Sequence, residues 1–132
     1  MSDAVLQVEV VSADKLVWSG ESTMVIARTT EGELGILPNH APVLSLMVHG
    51  FVDIRSADGE THIAAVDTGF ISVAANRVSI LASRALLSED IELDKARSDL
   101  DGQPEAGDDD EDDEAEEHAW LEAQVRAAEH AS

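Results

Sequence analysis

Between Thr29 and Leu44 an apolar run is punctuated by two glycines, Gly32 and Gly35, and two prolines, Pro38 and Pro42. Glycine reaches backbone angles closed to other residues, and proline fixes φ while removing an amide donor. The segment therefore predicts a strand, an elaborate turn and a second strand, with Glu33 and His40 held near the turn. No nucleophile, paired acid and base, or phosphate-cradling loop accompanies them.

The residues on either side extend this pattern. Leu6, Val8 and Val10 alternate with Gln7 and Glu9, the period-two signature of a half-buried strand. Leu16-Val17-Trp18 reads as a second strand ending at Ser19-Gly20, and Met24–Ala27 as a third. Val52 and Ile54 alternate with Asp53 and Arg55 before Asp58-Gly59, a strong hairpin signal leading into Thr61–Val66. Phe70–Ala74, the Ala75-Asn76 turn and Val78–Leu81 complete the set. Many short strands at close spacing predict a sandwich or barrel.

After Ser88 the composition changes. Glu89 and Asp90 supply caps and negative charge for a helix starting near Ile91, with Leu93, Ala96, Arg97 and Leu100 at helical spacing. Glu105 to Glu117 is almost wholly acidic. From His118 to His130, Leu121, Val125 and Ala128 form a narrow stripe with Trp120 beside it, and so short a helix needs a partner surface. The expected architecture is mostly β: a β-sandwich over 1–88, a short helix over 89–102, a disordered acidic linker over 103–117, and a short C-terminal helix over 118–132.

Composition narrows the function. The 132 residues carry a formal charge of −20, which would repel a nucleic-acid backbone. Roughly half of the excess lies near 105–117, so the folded part is only moderately acidic. Without cysteine, disulfides, thiolate metal sites and cysteine nucleophiles are excluded. No signal peptide or membrane span is expected, so membrane contact would pass through a partner.

No catalytic, metal or cofactor site is expected. His40, His49 and His62 match no ligand spacing, and Ser19, Ser22 and Ser45 stand in no nucleophile motif. The acidic run lacks calcium-loop geometry and reads as a solvated spacer. Glu33 and His40 have two readings that the residues leave open: contact groups presented by a rigid turn, or bystanders in a turn that glycine and proline shape.

Val10–Ala13, Trp18–Glu21, Glu31–Val43, Asp67–Val73 and Asn76–Ala82, in that order and spacing, resemble the epsilon subunit of bacterial F-type ATP synthases. The resemblance spans about Val8 to Asp90. It implies a non-catalytic subunit of the rotating central stalk, packed on the gamma subunit and resting on the membrane c-ring. Such a subunit supports proton-coupled ATP synthesis from the cytoplasmic face of the cell membrane. It places Glu33 and His40 at the ring-facing end, and the C-terminal region near the beta subunit, where relatives regulate ATP hydrolysis. Relatives also carry an ATP-binding helix-start motif. Ungapped, Ile91–Ala96 falls on it with Glu92 and Lys95 as replacements; a two-residue slip puts Asp94 and Arg97 on its acidic and basic positions. Beyond Arg97 only Arg126 is Lys or Arg, so the tail is not expected to act as a basic-helix latch. The rival reading is a free-standing sandwich whose acidic tail sequesters a basic protein.

Overall fold

The computed structural model describes residues 4–102 and 111–131, with side chains outside 111–116. Among the described residues nine strands form the body: β1 (Leu6–Val11), β2 (Leu16–Thr29), β3 (Gly32–Ile36), β4 (Val43–Met47), β5 (Gly50–Ser56), β6 (Thr61–Val66), β7 (Gly69–Ala74), β8 (Arg77–Ala82) and β9 (Ala85–Leu87). A single 3-10 turn (Ser88–Asp90) leads to helices α1 (Leu93–Gly102) and α2 (Glu111–Ala131). The strand order is β1-β8-β7-β4-β2-β5-β6-β9, β3 pairs with β2, and β1 also returns to β2. The sheet thus folds over into a sandwich, as its strand pattern predicted.

Alternation builds the interior. Leu6, Val8 and Val10 of β1 point inward against Val78 and Ile80 of β8, which runs parallel to it. Val25, Ile36, Val52, Ile54, Ile71 and Val73 fill the centre from the other strands. Branched aliphatics suit this role because they are stiff and pack well on a pleated surface.

Two expected strands prove to be one. Gly20 does not end the strand that begins at Leu16; β2 runs through it to Thr29. An added Cβ at Gly20 would stand 3.0 Å from the Trp18 ring, so the glycine makes room for the indole. The corner between layers comes slightly later, where the register with β5 shifts between Ser22 and Met24. The fully buried Ser22 hydroxyl donates to the Arg55 carbonyl at 2.6 Å and accepts the Met24 amide at 3.2 Å. A bulge leaves backbone groups without ladder partners, and this side chain satisfies them.

The C-terminal region requires two corrections. The first helix starts at Leu93 rather than near Ile91. Ile91 stays extended because its side chain packs into an apolar cluster with Phe51, Leu86 and Trp120. Of the expected linker 103–117, residues 103–110 lie outside the described residues, and 111–117 are helical. Acidic residues favour a helix N-terminus, and docking of the following turns lets the helix extend back through them. The docking surface is the outer face of β5 and β6. Trp120, Ala123 and Ala127 pack there on Ile63 and Ala65, with Phe51, Leu86 and Ile91 at the margin. Leu121, Val125 and Ala128 are also buried, and α1 packs beside α2 with Arg97 Nη2 2.6 Å from Glu129 Oε2.

Gly69 holds β7 against β8. A Cβ there would lie 2.0 Å from the Leu81 carbonyl oxygen and 2.8 Å from Ala82 Cα, and backbone cannot yield as a side chain can. Gly69→Ala should therefore destabilise the sandwich by about 2–3 kcal/mol, the upper range for overpacking. Chemical denaturation of the full chain measures this; a loss under about 0.5 kcal/mol would contradict the close approach.

Candidate partner interfaces

Pairing registers define the outer face of the layer opposite α2. Leu46 of β4 stands across from Phe70 of β7, Phe70 from Leu81 of β8, Leu81 from Val11 of β1, and Val11 from Leu16 of β2. With strands about 4.8 Å apart, this apolar row is about 19 Å long. Its side chains are open: Leu46 is 51 % exposed, Phe70 48 %, Leu81 50 % and Leu16 55 %. Leu44, on the same face two residues before Leu46, is 70 % exposed. Six large hydrophobic side chains are exposed among the described residues, and only Leu37 lies off this face. Concentration on one face, rather than scatter, marks an interaction surface.

Past Leu44, which stands across from Ser72, the adjoining row is polar. Ser72, Ser79, Glu9 and Ser19 follow one another across β7, β8, β1 and β2, and the Ser79 hydroxyl donates to Glu9 Oε1 at 3.2 Å. Beyond them the Gln7 amide donates to Glu21 Oε2 at 3.1 Å. An apolar centre with a polar rim is the anatomy of a protein–protein interface. The sequence carried a signal for it in Val43-Leu44-Ser45-Leu46-Met47. Apolar residues there occupy both alternations, and a strand apolar on both faces calls for cover on both.

Glu33 and His40 lie at opposite ends of β3. Glu33 is exposed, in register with Arg28 of β2. The turn before it is braced by Thr29, whose hydroxyl donates to the Gly32 carbonyl at 2.8 Å and accepts the Glu31 amide at 3.1 Å. His40 is half-buried beyond the other end, with Nδ1 2.6 Å from the Ala41 carbonyl. A carbonyl oxygen can only accept, so Nδ1 is the donor in this contact. Its turn is tied to the β7–β8 turn: the Asn39 amide donates to Asn76 Oδ1 at 2.5 Å, and Asn76 Nδ2 returns a bond to Asn39 Oδ1 at 3.3 Å. Both Asn39 and Asn76 have positive φ, which asparagine tolerates well. The two candidate side chains thus stand on separately braced turns and do not form one site.

Asp94 and Arg97 both lie on α1, where Arg97 is committed to Glu129. A cleft of about 260 Å³ beside α1 is lined by Leu86, Ile91, Asp90, Glu92, Lys95 and Asp99, among others, but by neither Asp94 nor Arg97. It offers a polyphosphate three carboxylates against one ammonium, an unfavourable field for an anion. Of the other histidines weighed as ligands, His49 Nε2 approaches Asp67 Oδ1 at 2.5 Å, off hydrogen-bond alignment, and the His62 ring lies 5.0 Å from that of Trp18. Among the described residues no three such side chains are grouped to hold a metal ion. No described helix is long and apolar enough to cross a membrane.

Among the described residues, then, a nine-stranded sandwich carries an open apolar face on one layer and a docked helical tail on the other. Residues 5–88 match the family model described as ATP synthase, Delta/Epsilon chain, beta-sandwich domain. An ATP synthase epsilon chain of Streptomyces avermitilis is 49 % identical over 105 residues, covering 80 % of this chain and 85 % of that one. One from Rhodococcus opacus is 46 % identical over 129 residues, covering 97 % and 99 %. In a mitochondrial ATP synthase structure from Euglena gracilis, a chain 20 % identical superposes with a TM-score of 0.73, covering 98 % of this chain and 80 % of that chain. The chain belongs to the ATP synthase epsilon-chain family.

Because the apolar row is solvated, it should contribute little to folding. Replacing Leu46, Phe70 and Leu81 together by threonine, which keeps β propensity, should change stability by no more than about 1 kcal/mol. Thermal or urea unfolding checks this, and a loss of several kcal/mol would mean that these side chains belong to the core.

Proposed function

We propose that the chain acts as the non-catalytic epsilon subunit of the ATP synthase central stalk, joining the gamma subunit to the c-ring at the cytoplasmic face of the cell membrane. The observation that carries this reading is the Leu46–Phe70–Leu81–Val11–Leu16 row, an apolar face left open for a permanent partner. Gamma is the occupant we assign to it. The family membership supports the assignment, as does the fold likeness to a chain in a Tetrahymena thermophila central stalk and c-ring structure (17 % identity, TM-score 0.63). Glu33 and His40, braced and displayed on turns, are assigned to the polar loops of the ring. A carboxylate there meets a basic loop residue through a charge-assisted bond. The subunit makes and breaks no bond itself; it transmits torque that supports proton-coupled synthesis. Beyond Arg97 the tail carries Arg126 as its only Lys or Arg, so control of hydrolysis through a contact with the beta subunit would be steric rather than electrostatic.

Two variants test the two contacts separately. The triple threonine variant, already required to fold, should lose gamma in co-purification, because each buried anchor contributes about 1–2 kcal/mol. Retained binding would exclude this face. Glu33→Arg should spare gamma and weaken the ring contact, since reversing a charge adds repulsion to lost attraction. Coupled ATP synthesis in reconstituted vesicles reports the second effect, and undiminished synthesis would remove Glu33 from the interface.

A further inference from the structure

The two parts of this chain carry charge of the same sign. Residues 1–88 hold five Lys and Arg against ten Asp and Glu, and residues 89–132 hold three against eighteen. Nevertheless α2 lies on the sandwich, and its apolar seal is thin. Among the described residues Trp120 is the only large side chain it contributes to the cluster on β5 and β6, the other two being Ala123 and Ala127. Two ion pairs join α2 to the sandwich among the described residues. His130 Nε2 lies 3.4 Å from Asp53 Oδ2, with the His130 ring 4.6 Å from that of Phe51. Arg84 Nη1 lies 2.9 Å from Glu117 Oε2. A histidine is charged only over part of the pH range, whereas a guanidinium is charged throughout.

Arg84 is also unusually well anchored. Its Nε donates to Oδ2 of the buried Asp67 at 3.0 Å, and its carbonyl accepts the Asp67 amide at 2.9 Å. Its guanidinium carbon stands 5.0 Å from the centre of the Trp120 ring. The fork therefore spans a carboxylate on the sandwich and one on the helix while covering the only large residue of the seal. Partial burial works against its charge, and the hydrogen bonds to Glu117 and Asp67 more than offset that, holding its pKa above the ordinary guanidinium value.

We propose that Arg84 is the latch cation of the tail: among the described residues, the one permanent positive charge on the sandwich that pairs with the acidic helix α2 and allows it to dock there. Without it, like-charge repulsion acts on a seal of one indole and two alanines, and α2 lifts. Lifting uncovers Phe51, Ile63, Ala65 and Leu86, so the latch also controls access to an apolar surface. This inference concerns the isolated chain and stands or falls independently of the stalk assignment.

Amide hydrogen exchange on the full chain, at about 0.02 M and about 0.5 M salt, tests it. At low salt Arg84→Ala should speed exchange in residues 117–131 by about tenfold or more while β1 to β8 keep their protection. High salt, by screening the repulsion, should remove much of that increase. Arg84→Lys, which keeps the charge, should stay within about threefold of the wild type. Acrylamide quenching of Trp120 in a Trp18→Phe background should follow the same order. Unchanged exchange in Arg84→Ala would overturn the proposal. So would an increase that salt leaves untouched and Arg84→Lys shares, because that pattern belongs to packing alone. Should Arg84→Ala loosen the strands as well, Glu117→Gln decides: it alters only the helix, and faster exchange of α2 supports the latch while unaltered exchange refutes it.

Discussion

Leu16–Thr29 pairs with β1 along its first half and with β3 and β5 along its second, so the two layers of the sandwich share one continuous strand. The layers cannot slide without breaking that strand's ladders. Its bend is held by a fully buried hydroxyl, that of Ser22. Side chains before the bend alternate between the core and one outer face; those after it alternate between the core and the other. Both outer faces are therefore set by the register of a single strand, and a one-residue slip would exchange core for surface in both layers.

Neither outer face is wholly polar, and the contrast between them carries the functional reading. On β5 and β6 the apolar residues Phe51, Ile63 and Ala65 meet α2 of the same chain. On β4, β7 and β8 the residues Leu46, Phe70 and Leu81 border one another but are covered by no described helix, and they remain about half exposed. A chain that covers one apolar face and leaves the other open is built for assembly. Membership in the epsilon-chain family agrees with this, because those relatives are subunits of a larger machine.

Much of the strand pattern was legible in the sequence because one-sided burial writes itself as period-two alternation. The Asp58-Gly59 hairpin and the Ala75-Asn76 turn fell where turn chemistry placed them. What escaped was whatever depended on a distant partner. Gly20 looked like a strand end, but its missing side chain accommodates the indole of Trp18, a matter of packing that local propensity does not encode. Ile91 looked helical, yet a cluster assembled from Phe51, Leu86 and Trp120 holds it extended. The acidic residues 111–117 lacked apolar periodicity, but a helix docked further along can extend through them. For the candidate contacts, the sequence singled out Glu33 and His40 by their turns, and the open row was missed because its members come from five strands far apart in the chain.

The two outer faces meet at one end of the sandwich. Phe70 and Leu81, paired in the open row, are each three residues from a member of the tail's anchor: Asp67 precedes Phe70, and Arg84 follows Leu81. The intervening turns are joined, since the Thr68 carbonyl accepts the Ser83 amide at 3.0 Å and the Ser83 hydroxyl at 3.2 Å. A partner seated on the open row thus bears on the same two strand ends that hold Arg84 over Trp120. Continuity of this sort transmits nothing unless some element along it has two arrangements. The thin, like-charged seal beneath α2, one indole and two alanines on Ile63 and Ala65, lies at that same end, under the guanidinium of Arg84.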